Sequence, residues 1–182
     1  MASNWEILKH LIETPEVPEL RPSRRGATES PAVLKKRLDQ ALNATTLKSR
    51  QQELIRSAIL LWHDDLEASH VISQSIETAD GSYLHGIMHR REPDYGNSKY
   101  WFRRVGKHQT FSRLAERVTA ELTDAAFLMA RLVPRGEWDP FAFVDECEAA
   151  ADLPQGDGKV AKLRSIQALE LKTLLEYFCG EA

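Results

Sequence analysis

Apolar residues in this chain recur at three- and four-residue intervals, and no stretch sustains an alternation of apolar and polar at every second position. The first period belongs to a helix with one buried face, the second to a half-buried strand. Ile55, Ile59, Trp62 and Leu66 carry the helical period within residues 46–76, the longest such run. Phe111, Leu114, Val118, Leu122 and Phe127 carry it through 111–132, and Leu163, Ile166, Leu169, Leu174 and Phe178 through 159–178. Shorter helices are expected over 3–13, from Ser30-Pro31 to about Leu42, and over 83–91, 97–104 and 140–151. A serine cap followed by proline suits a helix start, and the residue before Pro93 resists the α conformation. Pro15, Pro18 and Pro22 leave 14–30 irregular, and 78–82 and 153–158 read as turn and loop. The expected fold is therefore all-α: one irregular bundle of six to eight helices over residues 1–182. That length suffices for a substantial core without staples.

Composition narrows the function classes. The formal net charge is −3, which argues against a polyanion-coating protein or a polybasic membrane binder. Cys147 and Cys179 have neither metal-ligand spacing nor the numbers for a disulfide framework, so both are expected to be reduced thiols. The opening MASNWEILKHL is interrupted by Glu6 and Lys9 and does not read as a secretory signal, and no apolar run is long enough to span a bilayer. A cytoplasmic location is the expectation.

Two stripes of ionisable residues suggest a site. His63, Glu67 and His70 stand at i, i+4 and i+7 in the expected 46–76 helix, within a sector of about 60°. His85, His89 and Glu92 repeat that spacing in the next helix. A turn near residue 79 would fold the two helices into a hairpin, bringing His70 level with His89 and Glu67 level with Glu92. Three readings compete. The first is a divalent metal site with His63, Glu67, His70 and His89 as ligands, His at i and i+4 being a standard way to place two imidazoles on one ion. The second is metal-free acid–base chemistry by His85, His89 and Glu92. The third is a hydrogen-bonded network that only fixes helix packing. The sequence does not decide whether the protein is an enzyme.

Residues 83–108 carry Arg90, Arg91, Lys99, Arg103, Arg104 and Lys107 against Glu92 and Asp94, a net +4 in a chain that is negative overall. Tyr95, Tyr100, Trp101 and Phe102 are interleaved with these charges. Guanidinium forks suit carboxylate and phosphate groups. An anionic small-molecule ligand held by Arg90, Arg91, Arg103 and Arg104, and oriented by Asn97 and Tyr100, is the expectation. The alternative is a non-enzymatic module that binds a phosphorylated or nucleic-acid partner through 90–108. The negative chain and the single short basic segment count against it.

The run His85-Gly86-Ile87-Met88-His89-Arg90-Arg91-Glu92, then Asp94, then Asn97 to Gly106 with His108 beyond, resembles a segment of a family of uncharacterised bacterial and fungal proteins. Trp62-His63-Asp64 belongs to the same pattern, and the resemblance covers residues 60–110. It implies a shared site in that region and no particular chemistry.

Overall fold

Two of the expected long helices are each broken in two. The computed structural model describes residues 2–26 and 28–181; Met1, Ala27 (within the 14–30 segment) and Ala182 lie outside it. Among the described residues there are ten α-helices, two short 3-10 turns and no strand, so the all-α expectation holds and the count of six to eight is too low. The helices are α1 (Asn4–Leu8), α2 (Pro31–Asn43), α3 (Ser49–Trp62), α4 (Leu66–Ser73), α5 (Ala79–Arg91), α6 (Tyr95–Val105), α7 (Phe111–Glu121), α8 (Ala126–Leu132), α9 (Pro140–Ala149) and α10 (Gly158–Phe178). Among the described residues no helix is long and apolar enough to cross a membrane.

The break between α3 and α4 separates the halves of the expected 46–76 helix. Asp64 takes a left-handed conformation, φ 62°. The Asp65 amide reaches back to the Leu60 carbonyl at 2.9 Å, and the Asp64 amide to Leu61 at 3.2 Å. These two bonds are the Schellman termination, which glycine usually supplies because a Cβ disfavours that conformation. Asp65 then caps α4 by accepting from the Ala68 amide. Residues 79–82, expected as a turn, instead form the first turn of α5, capped by Thr78. The α5–α6 junction is capped by Asp94 rather than Asn97: its carboxylate accepts from the Asn97 amide at 3.2 Å.

The long α10 runs through both apolar cores. Its first half puts Val160, Leu163 and Ile166 against α7, α8 and α9. Its second half puts Leu171, Leu174, Leu175 and Phe178 against α2, α3 and α5. Each fully buried leucine here contributes about 1.5–3 kcal/mol.

Helix α5 is the exception to amphipathicity. Every residue from Gly81 to Arg91 is buried, including His85, His89, Arg90 and Arg91. Such a helix needs a partner for each polar face, since an unpaired buried polar group is costly. Its packing on α6 is close. A Cβ on Gly86 would lie 3.1 Å from the Phe102 ring, and the Ser98 hydroxyl donates to the Gly86 carbonyl at 2.8 Å.

Candidate metal centre

The charged and imidazole side chains in the second half of α5 point three ways, and in two of the three directions an arginine meets an internal carboxylate. Arg90 turns toward α10, where its Nη2 meets Glu170 Oε2 at 2.5 Å and Gln167 Oε1 at 3.3 Å, and its guanidinium lies 4.2 Å over Phe143. Arg91 turns toward the α3–α4 break, where Nη2 meets Asp64 Oδ1 at 2.6 Å and Nη1 donates to the Leu61 carbonyl at 2.5 Å. Asp64 also takes Arg25 Nε at 2.6 Å and the Glu19 amide at 3.0 Å, which ties the 14–30 segment down. Burial alone would raise the Asp64 carboxyl, but Arg91 and Arg25 hold it below its ordinary value. The expectation that Arg90 and Arg91 bind an external anion is therefore corrected. Both guanidiniums are fully buried, and each already has an internal carboxylate.

The third direction carries His85 and His89, one turn apart, and His70 meets them from α4. The three ring centroids are 4.7–5.4 Å apart: 4.8 Å for His70–His85, 5.4 Å for His70–His89 and 4.7 Å for His85–His89. One nitrogen from each ring can be chosen so that all three lie within 4.8 Å of one another. The α4–α5 hairpin thus brings His70 to His89 as its spacing predicts. His85 joins them, which the proposed ligand set omits. His63 and Glu67 are not part of the cluster. Because the helix ends at Trp62, His63 is its C-cap, and its Nε2 pairs with the Leu11 carbonyl at 2.7 Å. Glu67 is exposed in the first turn of α4.

Helix α6 closes the other side. Asn97, Trp101 and Arg104 stand at i, i+4 and i+7 and share one face. Asn97 Nδ2 donates to His89 Nε2 at 3.1 Å, Trp101 stacks on His85 with centroids 4.0 Å apart, and Arg104 lies 5.2 Å from the Trp101 ring. Trp101 was weighed in the sequence only as an interleaved aromatic. The signal that could have singled it out is this helical register with Asn97. Glu92, at the C-cap of α5, lies 3.4 Å from His89 Nδ1, and Asp94 lies 4.0 Å from the same atom. Tyr100 is exposed and reaches Arg104 rather than the histidines. Arg103 is exposed, while Lys99 is paired with Asp145 at 2.5 Å. His108 lies apart, held between Asp80 and Thr110 at 2.9 and 2.8 Å.

Burial favours the neutral imidazole at two of the three rings, His85 and His89. Burial, with His89 and His70 close by, pushes His85 down to about 4. Burial also lowers His89, against the opposing pull of Glu92. A neutral imidazole has the lone pair that a metal requires. His85 Nδ1 is buried without a hydrogen-bond partner. Other buried atoms, among them His63 Nδ1 and Arg90 Nε, are also unpartnered, but this one alone belongs to the group of three clustered imidazoles. Tetrahedral zinc with bonds of about 2.0–2.1 Å needs nitrogens about 3.4 Å apart, so the rings must close in somewhat. A cation would compete with the Asn97 amide for the Nε2 lone pair of His89. Glu92 beside Nδ1 is the carboxylate partner that ligating histidines commonly have.

Two grooves of about 590 and 600 Å³ lie elsewhere, beside Phe127 and between Asn4 and Glu181, and neither touches the histidines. The charged groups lining the first, Asp124, Glu146, Lys159 and Lys162, are paired with one another, so donor chemistry rather than volume singles out the histidine face. Both cysteines are buried and unpaired, burial pushes each thiol up to about 12, and neither belongs to the histidine cluster. No family model, curated protein or solved structure matches the chain.

Proposed function

We propose that this protein binds a divalent transition metal ion through His70, His85 and His89 and uses it to hold and activate a small anionic ligand. The observation that carries this reading is the convergence of three imidazoles, one nitrogen from each within 4.8 Å of the others, with the buried Nδ1 of His85 unpartnered. Three imidazoles leave at least one coordination position open, the arrangement of catalytic rather than structural zinc sites. Such a cation supplies Lewis-acid polarisation of a ligand oxygen. The chain supplies the rest. Trp101 covers His85 and limits water on that side. Glu92, beside His89 Nδ1, orients that ring and can take up a proton at its carboxylate.

The alternative polyanion-binding reading has less support. Of the six cations in 83–108, Arg90 and Arg91 are buried in ion pairs and Lys99 is bound to Asp145. Arg103, Arg104 and Lys107 remain at the surface, too few for a phosphate-tracking groove.

The test is elemental analysis of protein purified without a histidine tag, followed by zinc titration of chelator-treated protein. One equivalent is expected, with binding abolished in His85→Ala and retained in His63→Ala and His108→Ala. Absence of stoichiometric metal, together with melting that zinc does not raise, removes the reading.

A further inference from the structure

The histidine cluster is flanked by charge of opposite sign at its two ends. At the His89 end stand Glu92 and Asp94, 3.4 and 4.0 Å from Nδ1. At the other end, one turn along α6 beyond Trp101, stands Arg104. Its guanidinium carbon lies 5.2 Å from the indole centroid, and Nη1 meets the Tyr100 hydroxyl at 3.4 Å. Among the described residues it has no carboxylate partner within ion-pair distance, unlike Arg90, Arg91 and Lys99. It is held by the face of an aromatic ring, so its charge stays available.

We propose that Arg104 is an anion subsite for a short dicarboxylate, one end of which occupies the open face of the cation at His70, His85 and His89. This inference rests on the metal reading above. A divalent cation held by three neutral imidazoles keeps its full charge and so favours an anionic ligand. The polarity of the flanks then fixes the ligand's direction. A second carboxylate is repelled from Glu92 and Asp94 and drawn toward Arg104. The reach is bounded: the guanidinium carbon lies 5.2 Å from the Trp101 centroid, which lies 4.0 Å from that of His85, so the guanidinium and the imidazole are at most about 9 Å apart. A single guanidinium fork with one phenol beside it matches the charge and planar shape of a carboxylate better than a phosphate dianion. The ligand would lie along the rim of the indole, crossing from the metal to the arginine.

The experiment uses protein loaded with cobalt(II), whose visible absorption reports its ligands, titrated separately with succinate, acetate and inorganic phosphate. Succinate is expected to alter the spectrum at concentrations at least tenfold lower than acetate. Arg104→Gln should erase that advantage while leaving cobalt affinity and the acetate response unchanged, and Arg103→Gln should preserve it. Equal potency of succinate and acetate, or an advantage that survives Arg104→Gln, overturns the subsite and leaves the metal reading standing. Phosphate acting below the succinate concentration overturns the dicarboxylate class. A failure of cobalt to bind appears at the loading step, before any anion is added, and overturns both readings.

Discussion

The imidazole of His85 lies flat on the indole of Trp101, with centroids 4.0 Å apart and planes 16° from parallel. The ring is thereby sheltered while its Nδ1 has nothing to bond. Replacing His85 with Leu keeps an apolar contact with Trp101 and removes the unpaired nitrogen. In chelator, the variant is expected to melt at or above the wild-type temperature, with a gain of about 1 kcal/mol, because the desolvation penalty disappears. With zinc, the wild type should rise and the variant should not. Thermal melts with and without zinc make the comparison, and a clear loss of stability in chelator would mark His85 as a packing residue.

The same ring predicts a pH dependence. In the folded chain His85 is pushed down to about 4 from an ordinary 6.5. Between those values the unfolded chain binds a proton that the folded chain does not, so stability rises with pH across that window. Its contribution is complete above pH 6.5 and is lost as pH falls toward 4, on the order of 3 kcal/mol in all. Urea unfolding in chelator at several pH values measures this. The acid limb between 6.5 and 4 should be visibly shallower in His85→Leu.

Periodicity located most of these helices, since the sign and spacing of buried positions are local properties of the chain. What it could not supply was the break at Asp64. A Schellman termination is normally announced by glycine, and here an aspartate adopts the left-handed turn. Its carboxylate is held by two arginines, one of them 39 residues away in the chain. With the break unseen, His63 and Glu67 were aligned with His70 on a helix that does not continue. The pairing of His70 with His89 survived because the hairpin depends only on α4, α5 and the turn between them. The burial of Arg90 and Arg91 was hidden for a similar reason: their partners, Glu170 and Asp64, come from distant segments.

Asp64→Asn isolates that clamp. Asparagine tolerates the left-handed conformation, so the backbone turn is preserved while the charge is removed. Arg25 and Arg91 would then be buried without their counter-charge, and a loss of about 3–5 kcal/mol is expected. A urea midpoint lowered at unchanged slope would confirm it, and a change below 1 kcal/mol would show that the arginines find other partners.

Gly86→Ala tests how tightly α5 and α6 must approach. Alanine is worth up to about 1 kcal/mol in helix propensity. The new Cβ would lie 3.1–3.3 Å from three atoms of Phe102, whose ring is itself buried and has little room to swing. Net destabilisation of about 1–2 kcal/mol is expected, with weaker zinc binding because a displaced α6 no longer holds Trp101 against the His85 ring. Calorimetric melting and a zinc titration of the variant read the two effects, and an unchanged or raised melting temperature would show that the helices can separate without penalty.

Because Asp64 answers to Arg25 and Arg91 at once, it cannot lose its charge without stranding two guanidiniums in the interior, whereas loss of either arginine leaves it the other as partner. Homologous chains that keep either arginine should therefore keep the aspartate, while the arginines are free to be lost one at a time. Sequence drift would thus hold the middle position most firmly and let the two that flank it vary in turn.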